Sequence, residues 1–230
     1  MIYVERTDAP AVPNTNAAEW LHNYMEAIAT LATMPESPRL RRRKKAAESP
    51  YRHEQIRQGL KDMFLSKCAY CESEIEYVAY PHIEHFRPKS LYPEFCFSWE
   101  NLMLACPRCN HEKRDFFPQE NEGGPFVNPT REDPNDFFLF EYDEETGTAN
   151  VIPNENSPRA SVTIERIGLN RPELVKRRSK FIRELTFIAI KASEGDEEAL
   201  EILRYHILNG AEYAAFVRAI IRRLQLDIPL

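Results

Sequence analysis

Apolar residues recur at helical spacing over most of this 230-residue chain. From Ala17 onward, Trp20, Leu21, Tyr24, Met25, Ile28 and Leu31 line one face of a helix that ends near Pro35, with Trp20 and Tyr24 as core anchors. Residues 1–15, rich in proline and small polar side chains, read as extended. Tyr51 to Leu65 reads as a second helix with Ile56, Leu60, Met63 and Phe64 inward. The period then changes. Ile83-Glu84-His85-Phe86 is a short strand closed by the turn Arg87-Pro88-Lys89, and HEKRDFF is a short helix stopped by Pro118. Phe137 to Tyr142 and Asn150 to Ile152 flank Glu145-Thr146-Gly147 as a hairpin. Beyond it the chain is helical again. Ser157-Pro158 caps a helix carrying Ala160, Val162, Ile164 and Ile167, and Asn170-Arg171-Pro172 starts another that runs to about Ala192. That helix turns Leu174, Phe181, Leu185 and Ile188 inward and a basic face (Lys176, Arg177, Arg178, Lys180, Arg183) outward. Glu194-Gly195-Asp196 and Asn209-Gly210 set off the last two helices, the final one carrying Phe216, Ile220 and Leu224. The expected fold is α+β, mainly helical.

The chemistry sits where the helical period is interrupted. Cys68/Cys71 and Cys106/Cys109 are two C-x-x-C pairs, and each such turn points both sulfurs at one ion. The spacing predicts a four-cysteine zinc site, with buried thiols or two disulfides as the alternatives. A closed four-thiolate site has no position for substrate, so this zinc is expected to be structural. Cys96, between Phe95 and Phe97, reads as a small apolar filler. Between the pairs lie His82, Glu84 and His85, and Asn110-His111 follows the last cysteine. Adjacent strand residues point to opposite faces, which constrains how Glu84 and His85 share a site.

Glu84-His85, Asn101-Leu102 and Cys-x-x-Cys-Asn110 with Lys113 resemble the HNH nuclease motif, a ββα-metal fold with an accessory zinc knuckle. The family usually has Asp where Glu84 stands, and its final His falls on Asn110, whose amide oxygen suits a hard cation. CAYCE, IEHFRPKS, WENLMLACPRCNHEK and the FFP after it, with Tyr51 to Leu65 and LNRPEL, are together similar to the HNH nucleases of Septu and retron-associated antiphage systems. The resemblance implies metal-assisted phosphodiester hydrolysis in bacterial defence beside a separate ATPase. His85 would be the general base, Glu84 and Asn110 the ligands of magnesium or manganese, and Asn101 an orienting residue. Either Asn110 or His111 can be the last metal ligand, and Asn110 is favoured by position. A zinc-ribbon adaptor with a degenerate site is the competing reading. DNA is favoured over RNA as substrate.

Net charge of −6 speaks against a nucleic-acid enzyme only until its distribution is considered. Acidic residues crowd 120–145, whereas Arg39 to Lys45 is basic, and Arg87, Lys89, Arg108, Lys113 and Arg114 surround the motif as expected phosphate contacts. No apolar run reaches membrane-span length, and the first residues lack a signal-peptide block, so a cytoplasmic protein is expected. The expected organisation is a helical region over 1–66, a nuclease module over 67–118, and a hairpin and helices over 119–230.

Overall fold

The computed structural model describes residues 1–75 and 80–229. Helix α1 (Ala11–Thr33) begins earlier than its apolar period suggests. Pro10 is extended (φ −56°, ψ 156°), and Pro13 lies in the first turn, where a missing N–H costs no intrahelical bond. The Gln55 side chain accepts from Val12 N–H at 3.0 Å. Tyr24 and Ala27 are the buried apolar residues beyond that turn. Helix α2 (Pro38–Glu48), capped by Ser37, packs back on α1 with none of its residues buried. Helix α3 (Glu54–Phe64) buries the expected Ile56, Leu60, Met63 and Phe64 and delivers the chain to Cys68.

Strands β1 (His82–His85) and β2 (Leu102–Ala105) pair antiparallel, His82 opposite Ala105 and His85 opposite Leu102. Helix α4 (Pro107–Lys113) follows directly, completing a ββα unit. A second hairpin, β3 (Phe138–Asp143) with β4 (Thr148–Pro153), buries Phe138, Phe140, Ala149 and Val151. Helices α5 (Pro158–Ile167), α6 (Pro172–Ser193), α7 (Glu197–His206) and α8 (Ala214–Arg223) complete the chain. Ser157 and Pro158 form the expected cap.

The expected basic outer face of α6 loses one member. Arg178 is buried and donates to the carbonyls of Ala149 and Leu169 and to Asn170 Oδ1, with its guanidinium over Phe216. One continuous core runs from Met1 and Ile2 through α3 and β2 to α8, whose Phe216, Val217, Ile220 and Ile221 are all buried. The apolar face of α8 is therefore used by the protein's own interior.

The first ten residues lie along the molecule itself. Val4 N–H donates to Pro129 O, and the Arg6 guanidinium donates to Trp99 O, Leu102 O and Thr130 Oγ1 at 2.8–2.9 Å. One side chain thus ties the N-terminal segment, the start of β2 and the 126–130 segment together. Because carbonyls desolvated beside β2 need partners, this clamp also satisfies polar groups the short strand cannot.

Candidate active site and metal centre

Cys68 and Cys71 occupy the turn after α3, Cys106 caps α4, and Cys109 lies within it. Their four Sγ atoms lie within 4.8 Å of one another. All five cysteines are free thiols, and Cys71 Sγ is 3.9 Å from Cys106 Sγ, far beyond a disulfide bond of about 2.05 Å. A tetrahedral thiolate site with metal–sulfur bonds of about 2.3 Å has an edge of about 3.8 Å, so the cluster is spaced for one ion. Among the described residues it is the one group of three or more Cys, His, Asp or Glu side chains close enough to hold a metal. Hydrogen bonds among the clustered thiols hold Cys71 and Cys106 below the ordinary thiol range, whereas burial pushes Cys68, and the same bonds push Cys109, well above it. Ala69 N–H donates to Leu104 O at 2.8 Å, which fixes the first turn to β2. Arg171, in the downstream LNRPEL segment, donates to Cys109 Sγ at 3.4 Å and places a cation beside the sulfurs. Cys96 stands apart, buried against Tyr24, Tyr51 and Phe97.

His85 is buried at the end of β1, where the Tyr51 ring meets it edge-on with centroids 4.8 Å apart. Its Nε2 lies 2.9 Å from the carbonyl oxygen of Cys96. A carbonyl can only accept, so Nε2 carries the proton and the Nδ1 lone pair is left as the basic site. Burial pushes the imidazole pKa down to about 3, and Lys89 and Lys113 push in the same direction. Asn101 secures the loop that supplies this carbonyl. Its side chain accepts from Arg87 N–H at 2.8 Å and donates to Arg87 O and Phe95 O, pinning the residue just before Cys96. It reaches His85 through the backbone and not by direct contact.

Strand alternation turns His82 and Glu84 to the opposite face, toward α4. There Asn110 Nδ2 lies 3.0 Å from His82 Nδ1, and Lys113 Nζ lies 2.6 Å from Glu84 Oε1. Asn110 and Lys113 are three residues apart on α4 and so share a face. Two strand residues thus meet two helix residues. Burial raises the Glu84 pKa, and the Lys113 ammonium works against that shift. With Oε1 given to Lys113, the second carboxylate oxygen and the Asn110 amide oxygen remain as hard donors. Each is an oxygen of the kind that a small divalent cation takes. His111 is exposed, on a different side of α4. Sequence alone assigns His82 no role; its position two residues before Glu84, on the same face of the strand, is the signal that points to it.

The five expected phosphate contacts divide. Arg87, Arg108 and Arg114 are exposed. Lys89 is half-buried, 3.6 Å from Glu48 and above the Tyr51 ring. Lys113 does not fit the expectation: its side chain is 1% exposed and also donates to His85 O at 2.9 Å, so it faces into the module. Replacing Lys113 with Met leaves Glu84, 5% exposed, with a buried charge and no counter-ion. The expected cost is about 3–5 kcal/mol. A thermal melt checks this; an unchanged melting temperature with only a weaker salt dependence of nucleic-acid binding would restore Lys113 as a phosphate contact.

Comparison with known proteins agrees with this geometry. The HNH endonuclease family matches residues 68–116, from the first cysteine through α4. A Septu protein PtuB of Bacillus mycoides is 30% identical over 232 residues, covering 89% of this chain and 75% of that relative. A second Septu protein PtuB, of Bacillus thuringiensis, is 37% identical over 38% of this chain and 34% of its own length. A retron Vc95 putative HNH endonuclease of Vibrio cholerae is 27% identical over 58% of this chain and 65% of its own. With its ββα unit, its cysteine cluster and a relative matched along nearly the whole chain, this protein belongs to the HNH endonuclease family of the Septu PtuB proteins.

Proposed function

We propose that this endonuclease hydrolyses phosphodiester bonds of DNA, with His85 Nδ1 taking the proton from the attacking water. The observation that carries the reading is the bond from His85 to the Cys96 carbonyl, because it fixes the tautomer a general base requires. Glu84 and Asn110 hold magnesium or manganese, which supplies positive charge to the phosphate and the leaving oxygen. Asn101 keeps the 87–95 loop in the shape that presents the Cys96 carbonyl. Exposed Arg87 and Arg108, with Lys89, supply phosphate contacts around the site. The four cysteines hold zinc with a structural role, since four thiolates close its coordination shell.

The names of the relatives support a place in antiphage defence, and the Septu resemblance supports an ATPase partner. Because α8 spends its apolar face on the interior, docking to that partner falls to other surfaces. Among the described residues no helix is long and apolar enough to cross a membrane, in keeping with action in the cytoplasm.

The assignment of Asn110 over His111 is tested by cleavage rates against magnesium concentration. Asn110 faces His82 and the Glu84 side of the unit, whereas His111 faces solvent. Asn110→Ala is expected to raise the magnesium requirement and lower the rate by about a hundredfold or more, and His111→Ala to stay within about tenfold of wild type. An active Asn110→Ala beside a dead His111→Ala would reverse the two.

A further inference from the structure

A cleft of about 550 Å³ opens beside the catalytic strand, on the side of Phe86, Arg87 and Asn101. Its far wall comes from the segment after α4, through Phe117 and Phe126. This volume lies within the range of about 300–1,000 Å³ typical of small-ligand sites. Its lining combines two kinds of group. Half-buried Phe95 and Phe117 supply ring surface, and buried Phe86 and Phe126 meet Phe117 edge-on from behind, which keeps that wall rigid. Arg87 lies with its guanidinium 4.9 Å above the Phe95 ring.

The charges around the cleft are unevenly matched. Arg159 is held by both oxygens of Glu132 at 2.6 and 2.8 Å, and Arg131 has Glu100 at 3.8 Å. Arg87 has no carboxylate partner among the described residues, and three aromatic rings lie within 6 Å of it. A half-open aromatic cleft with one uncompensated, planar guanidinium matches a flat, apolar-faced group attached to an anion. An unstacked nucleobase with its phosphate has that chemistry, since bases stack on Phe rings and Arg planes.

The position relative to the chemistry is equally specific. Arg87 is two residues from His85, at most about 7 Å along an extended chain. Asn101 bonds both the N–H and the carbonyl of Arg87, so the cleft cannot shift independently of the catalytic strand. We infer that the cleft receives an unstacked base next to the scissile phosphate, making single-stranded or unpaired nucleic acid the favoured substrate class. This rests on the nuclease reading above and adds to it what the substrate must look like.

The test measures binding of a fluorescent oligothymidylate and of a closed hairpin duplex of equal length, by anisotropy in magnesium-free buffer. Wild-type protein is expected to bind the single strand more tightly. Phe95→Ala is expected to weaken single-strand binding by about tenfold and duplex binding by less than about twofold. Phe95→Leu keeps apolar volume while removing the ring face; with an unchanged melting curve it should show the same selective loss, which separates stacking from misfolding. Equal affinity of wild type for both substrates, equal loss on both, or a Phe95→Leu protein that binds single strand like wild type would overturn the inference. Magnesium-dependent cleavage of the same two substrates reports the nuclease reading separately: cleavage without strand preference defeats the cleft and leaves that reading standing, whereas no cleavage of either defeats both.

Discussion

Cys106→Ser is expected to lose the bound zinc and with it the folded nuclease module, as a melting transition that is largely abolished and not merely shifted. The cysteines join the turn after α3 to the N-terminus of α4, two points 35 residues apart between Cys71 and Cys106. Around them the secondary structure is slight, because β1 and β2 are four residues each and α4 has seven. Elements that short bury too little surface to order themselves. Structural zinc contributes about 10–16 kcal/mol of binding free energy in small zinc domains, and a whole domain is stable by only about 5–15 kcal/mol. Cys106 also caps α4 by accepting from Cys109 N–H, so its replacement affects the helix start as well. Zinc content by atomic absorption and a calorimetric melt check this. Full zinc content with native melting would remove the four-cysteine assignment, and Cys96→Ser, at a buried thiol outside the cluster, is the control expected to retain zinc.

His85→Ala is expected to lower single-turnover cleavage by about 10²–10⁴-fold while nucleic-acid affinity changes little. The imidazole is buried and neutral, so its removal takes away a proton acceptor and not a phosphate-binding charge. The pH behaviour follows from the same burial. With its folded pKa near 3, His85 in the free enzyme stays in the basic form throughout the neutral range, and the acid limb of kcat/KM should not fall at the usual histidine value of about 6.5. The sign for stability is the opposite of a salt-bridged histidine. The unfolded chain takes up this proton first, so the contribution of neutral His85 is complete above about pH 6.5 and is lost as pH falls toward 3. His85→Ala should therefore flatten the stability-versus-pH curve in that window. A phosphate bound beside Nδ1 favours the imidazolium, so the pKa seen in the substrate complex should be higher than in the free enzyme.

The sequence carried the metal cluster and the second hairpin clearly because both depend on local rules. Cysteine spacing fixes where sulfurs converge, and the Glu145-Thr146-Gly147 turn fixes the pairing of β3 with β4. The start of α1 was hidden by its two prolines, which read as breakers and yet fit an extended N-cap and a first turn. Other features were visible in the pattern but outweighed by residue type. Arg178 sits at helical spacing between Leu174 and Ile182 on the buried face of α6, and Lys113 lies one turn from Asn110, yet both read as surface cations because long basic side chains are seldom buried. The Cys96 carbonyl that sets the His85 tautomer, the Arg6 clamp on β2 and the contact of Arg171 with Cys109 join residues 11, 93 or 96, and 62 positions apart; no local period records them.

Under the proposed mechanism one divalent cation and one neutral histidine together hydrolyse nucleic acid. That mechanism is tested most directly by single-turnover cleavage of end-labelled DNA, single-stranded and duplex, by zinc-loaded protein stripped of magnesium, with magnesium or manganese then titrated back. Cleavage that appears only with the added cation, falls by orders of magnitude in His85→Ala, and needs far more cation in Glu84→Gln is the predicted result. Metal-dependent cleavage that survives at wild-type rate in His85→Ala, or no cleavage at any cation concentration with or without the proposed ATPase partner, would contradict it.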